Sequence, residues 1–332
     1  MRRLIGPAWL IGLFVLQLCG CTVHAVDSSA GAGARTPPFL PHIIAHRGGT
    51  ADAPENTLVA IRAATAHHAD AIWLTVQLSR DGIPVLYRPA ELSALTDASG
   101  PVAARTAAEL ARVNAGWTFR RASAADGEAY PYRRNPVGIP TLREALQAIS
   151  PDVPIILDMK ALPAAAQIVA VAQVLNREHA WSRVTLYSTE AAYQQGFSAY
   201  PQARMFEARD ATRTRLVRVL LNQGCIDAPD GTAPVAFELH RDVTVVEQFT
   251  LGEGRSPVRA TLWTPATVAC TRRRAHVFIV AIGVNDEDDY RAAACLDIDA
   301  VLADSPRQMR AIRAGLSLPL QCPALRPAAR GQ

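Results

Sequence analysis

Lysine is almost absent from this chain: of 34 basic residues, 33 are arginine and only Lys160 is lysine. Net charge is scarce too, +4 from 34 basic against 30 acidic residues. With no long basic run, that balance excludes nucleic acid as a partner. No Cys-x-x-Cys pair occurs outside the N-terminal segment, and no cysteine there sits beside a ligand-spaced histidine, so a zinc site is excluded. No Gly-x-Gly-x-x-Gly follows the first strand-like run, which removes the main signature of a dinucleotide-binding sheet. What is present is 49% hydrophobic residues with 20 Gly and 23 Pro. Such a composition is neither disordered, collagenous nor polytopic. A length of 332 residues suits one large α/β domain or two ordinary ones.

Residues 1–20 begin with Arg2 and Arg3 and continue as an uncharged apolar stretch from Leu4 to Leu18. This is the pattern of a bacterial secretory signal. It ends Leu18-Cys19-Gly20-Cys21, which resembles a lipobox and marks Cys21 as the lipidated first residue of the mature protein. Residues 21–41 are rich in Ser, Gly, Ala and Pro and read as a flexible tether. The expectation is a protein held on the bacterial envelope by its lipid, at the outer membrane facing the periplasm. Export implies an oxidising compartment, so Cys225, Cys270, Cys295 and Cys322 can form two disulfides, with three pairings open.

From residue 42 the chain alternates short apolar runs with amphipathic helical stretches. Strand-like runs fall at 42–46, 71–78, 84–87, 153–160, 183–188, 203–207, 235–239, 276–282 and 299–303. Helical patterns fall between them, and 117–139 is irregular. Repeated β–α units over residues 42–315 predict a parallel TIM-type (β/α)8 barrel, with a doubly wound sheet as the alternative and 316–332 as a C-terminal tail. In a barrel, the chemistry sits at the C-terminal strand ends.

Two tetrads follow the first strand: His46-Arg47-Gly48-Gly49 and Pro54-Glu55-Asn56-Thr57. Together they resemble the signature of glycerophosphodiester phosphodiesterases. The likeness continues through Asp81-Gly82-Ile83-Pro84-Val85, Ile139-Pro140-Thr141-Leu142 and Gly283-Val284-Asn285-Asp286, and on to Asp304-Ser305-Pro306. It implies a TIM barrel that hydrolyses a glycerophosphodiester to an alcohol and glycerol 3-phosphate. It also implies a divalent cation, Ca²⁺ or Mg²⁺, held by carboxylates to neutralise the phosphodiester. Two histidines would move protons, and an arginine would grip a phosphate oxygen.

Carried over by position, His46 matches the first catalytic histidine, Arg47 the phosphate-binding arginine, and Glu55 and Asp158 metal carboxylates. Lys160 matches a nearby family lysine. The chain departs at Trp73 and Thr75, where the family has Glu and Asp, and at Arg88, where it has the second histidine. Glu55 and Asp158 are left as an incomplete metal site. The losses make the mouth more positive, so Arg47, Arg88 and Lys160 are expected to converge on a phosphate where the cation would sit. The alternative is a non-catalytic envelope protein that binds a phosphate-bearing headgroup or a protein. Glu207, Asp227, Glu238 and Asp304 are carboxylates that the spacing leaves unplaced.

Overall fold

The computed structural model describes residues 39–121 and 129–322. Residues 1–38, with the signal, Cys21 and most of the tether, lie outside the described residues, as do 323–332. The elements, in chain order, are β1 (His42–His46), α1 (Leu58–Ala66), β2 (Ala71–Leu78), β3 (Pro84–Leu86), α2 (Ala107–Leu110), α3 (Leu142–Ala148), β4 (Ile155–Met159), α4 (Ala164–Arg177) and β5 (Val184–Tyr187). There follow α5 (Ala191–Phe197), α6 (Arg209–Leu220), β6 (Val235–Glu238), β7 (His240–Phe249), β8 (Gly252–Thr261), α7 (Pro265–Thr271), β9 (Ile279–Ile282), α8 (Glu287–Cys295), β10 (Ala300–Ala303) and α9 (Pro306–Gly315).

Seven strands run parallel in the order β5-β4-β2-β1-β10-β9-β6. The eighth stave is the 204–207 segment. Leu186 N–H donates to Arg204 O, Phe206 N–H donates to Leu186 O, and Glu207 N–H donates to Pro234 O. One edge of this segment therefore meets β5 and the other meets the start of β6, which closes the ring. A closed barrel has no free sheet edge. The short β3 lies outside the ring, antiparallel to β2.

Both faces of each stave are covered, which explains the nearly continuous apolar runs. Alternate residues point inward: Ile44, Trp73, Ile156, Tyr187, Phe206, Val280 and Leu302 share the barrel interior. Their neighbours Ile72, Leu74, Leu157 and Leu186 face the helices with Val171, Leu175 and Tyr193. Thr106 with Glu109 and Thr141 with Glu144 form capping boxes that fix the starts of α2 and α3. Segment 316–322, set apart above as a tail, lies on the barrel: Leu316 and Leu320 join the core, and Cys322 bonds Cys295. The other disulfide is Cys225–Cys270.

At the N-terminal end of the barrel Asp70 ties three elements together. Its Oδ2 accepts from Ile43 N–H and Arg313 Nη1, each at 2.7 Å. Burial raises its carboxyl, but the hydrogen bonds from His42, Ile43 and Arg313 outweigh that and lower it to about 2. A depressed folded-state value stabilises above the unfolded pKa and is lost as pH falls through the folded one. Wild type should therefore exceed Asp70→Asn by about 1–2 kcal/mol at pH 6, after allowance for solvent screening. Urea unfolding should show that gap closing between about pH 4 and pH 2; a gap that does not change with pH would remove Asp70 as its source.

Candidate active site

The β1–α1 loop is built by backbone requirements before any chemistry. Arg47, Gly48 and Gly49 take φ values of 50, 84 and 104°, in the left-handed region. A Cβ at Gly48 would lie 2.8 Å from Ala60 Cβ, so glycine lets α1 approach the strand end. The loop then folds back on itself. Asn56 N–H donates to Arg47 O at 2.8 Å, and Asn56 Oδ1 accepts Thr75 N–H at 2.9 Å. Thr57 caps α1 by accepting from Ala60 N–H, while its hydroxyl donates to Pro54 O. Both tetrads thus lock one loop across the ends of β1 and β2, and hold Arg47 and Glu55 at the mouth.

Four acid–base pairs ring that opening. His46 Nδ1 lies 2.7 Å from Asp304 Oδ1, which also accepts from Thr50 Oγ1 at 2.8 Å. Asn285 Nδ2 donates to the other oxygen at 3.0 Å. The hydrogen bond with His46, with those from Thr50 and Asn285, holds Asp304 down at about 2 against the effect of burial. Asp304 orients the ring, so Nε2 is the nitrogen left for a ligand. Arg47 Nη1 donates to Glu55 Oε2 at 2.6 Å. Lys160 Nζ stands 3.1 Å from Asp158 Oδ1. Burial pushes the Asp158 carboxyl up, opposed by Lys160 and Arg47. Arg209 Nη2 donates to Glu238 Oε2 at 2.6 Å and Nη1 to Tyr187 Oη at 3.2 Å.

The structure therefore gathers His46, Arg47, Glu55, Asp158 and Lys160 at the strand ends, together with Asp304 and Glu238. Arg88 is exposed beyond β3. Its carbonyl accepts from Gln77 Nε2, which anchors its backbone, and no contact ties its side chain to the four pairs among the described residues. Glu207 is taken by Arg215 and Thr212, and Asp227 by Arg218. Sequence reasoning missed Arg209, for which spacing gave no signal, and Asn285, which was quoted in the likeness and could have been assigned.

Trp73 occupies the interior beneath the mouth, 3% exposed, its ring 4.8 Å from Tyr187 and 5.8 Å from Phe206. Four buried side-chain atoms have no hydrogen-bond partner among the described residues: Glu55 Oε1, Asn56 Nδ2, Thr75 Oγ1 and Asp158 Oδ1. Asp158 Oδ1 is nonetheless faced by the Lys160 ammonium at 3.1 Å, which leaves Glu55 Oε1, Asn56 Nδ2 and Thr75 Oγ1 unpaired among the described residues. Their residues lie on the β1–α1 loop and on β2, buried at the strand ends. A buried polar atom left unpaired costs about 1–3 kcal/mol, so such a cluster calls for a ligand. The group does not fit a hard divalent cation. Glu55 and Asp158 each already face a cation of the chain, Thr75 offers a neutral hydroxyl, and Asn56 presents an N–H that a metal ion would repel.

Comparison with known proteins places this geometry. The model of the "Glycerophosphoryl diester phosphodiesterase family" matches residues 46–308. A relative from Mycobacterium tuberculosis, "Uncharacterized protein Rv2277c", is 47% identical over 266 residues, covering 80% of this chain and 87% of its own. The crystal structure of that protein's glycerophosphoryl diester phosphodiesterase domain superposes with a TM-score of 0.76 at 44% identity, covering 83% of this chain and all of the domain. An Oleispira antarctica phosphodiesterase, solved with its product sn-glycerol-3-phosphate, shares the fold at a TM-score of 0.60 and 22% identity, covering 83% of this chain and 98% of its own. The two tetrads, the barrel that carries them and the match along most of its length place this chain in the glycerophosphoryl diester phosphodiesterase family.

Proposed function

We propose that this chain is an envelope lipoprotein, anchored through Cys21, that binds the glycerol-phosphate end of a glycerophosphodiester, with the family's metal-assisted hydrolysis degraded. The observation that carries the reading is the mixture of unpaired atoms at the mouth. Glu55 Oε1 accepts, Asn56 Nδ2 donates, and Thr75 Oγ1 does either. A ligand that satisfies all three needs hydroxyl groups to donate and anionic oxygens to accept, which is the chemistry of a polyol phosphate. Arg47 commits one nitrogen to Glu55, and Lys160 makes one ion pair, so both retain donors for a phosphate. They stand in for the cation that the donor set does not suit. His46, oriented by Asp304, is left as the proton-transfer group, because the Arg88 guanidinium holds its proton too tightly to act as an acid.

Calorimetry with glycerophosphocholine tests this. Heat of binding should be the same with EDTA as without, and millimolar Ca²⁺ or Mg²⁺ should not raise hydrolysis. Metal-stimulated turnover that His46→Ala abolishes would overturn the proposal in favour of an intact family enzyme; no heat in any condition would remove the headgroup site altogether.

A further inference from the structure

The β7–β8 hairpin, residues 240–261, leaves the barrel from the mouth end, directly after β6. Its two strands pair from His240↔Thr261 to Phe249↔Gly252 and belong to no larger sheet. A lone two-stranded ribbon is marginal in water. This one also exposes Val243, Val245, Val246, Phe249, Leu251 and Val258, six large apolar side chains in 22 residues. Four of them share a face: Val243, paired across to Val258, lies with Val245 and Phe249, alongside Arg241 and Glu247, whereas Val246 lies on the other face with Asp242 and Arg259. Leu251, in the turn, is fully exposed. An apolar patch on this scale marks an interaction site.

A second feature lies at the mouth end of the barrel. The segment after β3 reaches the active site, since Phe119 and Arg120 line a cavity of about 220 Å³ with Thr50 and Glu55. Trp117 and Tyr130 are exposed there, and the Arg133 guanidinium lies 4.8 Å and 3.9 Å from their ring centres. Arg120, Arg121, Arg133 and Arg134 are all exposed. Trp and Tyr beside arginines, together with an apolar tip, are the residues that settle at a bilayer surface and its anionic headgroups.

We propose that the hairpin tip, with this aromatic and arginine segment, docks the barrel mouth on an anionic phospholipid bilayer. The inference rests on the headgroup reading above, for a mouth that binds glycerol phosphate is best placed facing the lipids that carry it.

The test uses the full chain carrying Cys21→Ala, so that no acyl group tethers it. Vesicles of phosphatidylcholine with phosphatidylglycerol should shift the emission of a Leu251→Trp variant to the blue, and brominated acyl chains should quench it beyond the parent's own tryptophans. Phe249→Ser with Leu251→Ser should weaken vesicle binding about tenfold or more, while binding of soluble glycerophosphocholine stays unchanged. Each of Arg120→Gln and Arg121→Gln should cost about fivefold on anionic vesicles and nothing on neutral ones. An unshifted Leu251→Trp spectrum would overturn the proposal. So would a blue shift that appears without lipid, rises with protein concentration and accompanies a dimer in light scattering, because the occupant would then be a second copy. Loss of headgroup binding in the unmodified chain would instead count against the functional reading.

Discussion

Lys160→Met should weaken binding of sn-glycerol 3-phosphate about 10- to 100-fold, the effect of losing one charged hydrogen bond to phosphate. The pH dependence of that loss is diagnostic. Asp158 is buried and already shifted upward, with Lys160 its main opposing charge. Removing Lys160 raises the carboxyl further. Asp158⁻ repels a phosphate, so the deficit of the variant should be greatest where the carboxyl is ionised and shrink as it takes up a proton on acidification. Lys160→Arg should recover part of the affinity, because the charge returns with a different shape. Titration calorimetry at several pH values reads all three. If Lys160→Met binds like wild type, the Lys160–Asp158 contact is an internal ion pair with no part in ligand binding.

The largest stability effect is expected at Cys225–Cys270. The bond joins residues 45 apart, and the intervening chain includes stave β6 and the whole exposed hairpin. By the chain-entropy relation a loop of that length confers about 4 kcal/mol, and the 27-residue separation of Cys295–Cys322 about 3.5 kcal/mol. Cys225→Ala with Cys270→Ala should lower Tm by about 8 °C, at ~2 °C per kcal/mol for a domain of this size. Differential scanning calorimetry with and without reductant checks it. An unchanged midpoint would mean that the denatured chain is already compact across this loop.

Most of the barrel was legible because its staves are buried on both faces and read as apolar runs. β2 at 71–78 and α4 at 164–177 fall where periodicity puts them. The 203–207 run is real as well, though it forms a stave through three backbone bonds rather than a full ladder. The hairpin was not assigned because Arg241 and Glu247 interrupt its more apolar face and Val246 lies among Asp242 and Gln248 on the other, which breaks the alternation. At the site, the loop tetrads and Asp158 were legible as motif positions. Nothing local marks Arg209 as reaching Glu238 and Tyr187, since those contacts join residues 29 and 22 apart in sequence. For Arg88 the position next to a strand end says where its backbone lies, and no side-chain contact among the described residues fixes the exposed guanidinium.

The ring stack of Trp73, Tyr187 and Phe206 limits what position 73 can carry. A glutamate there would arrive among aromatic faces, stranded without water, and would leave a void where the indole had been. Vacating such a volume in a packed interior costs about 3–5 kcal/mol. An aspartate at position 75 alone would have no acidic neighbour on its own strand. The packed floor of the barrel therefore resists an acidic pair on β2.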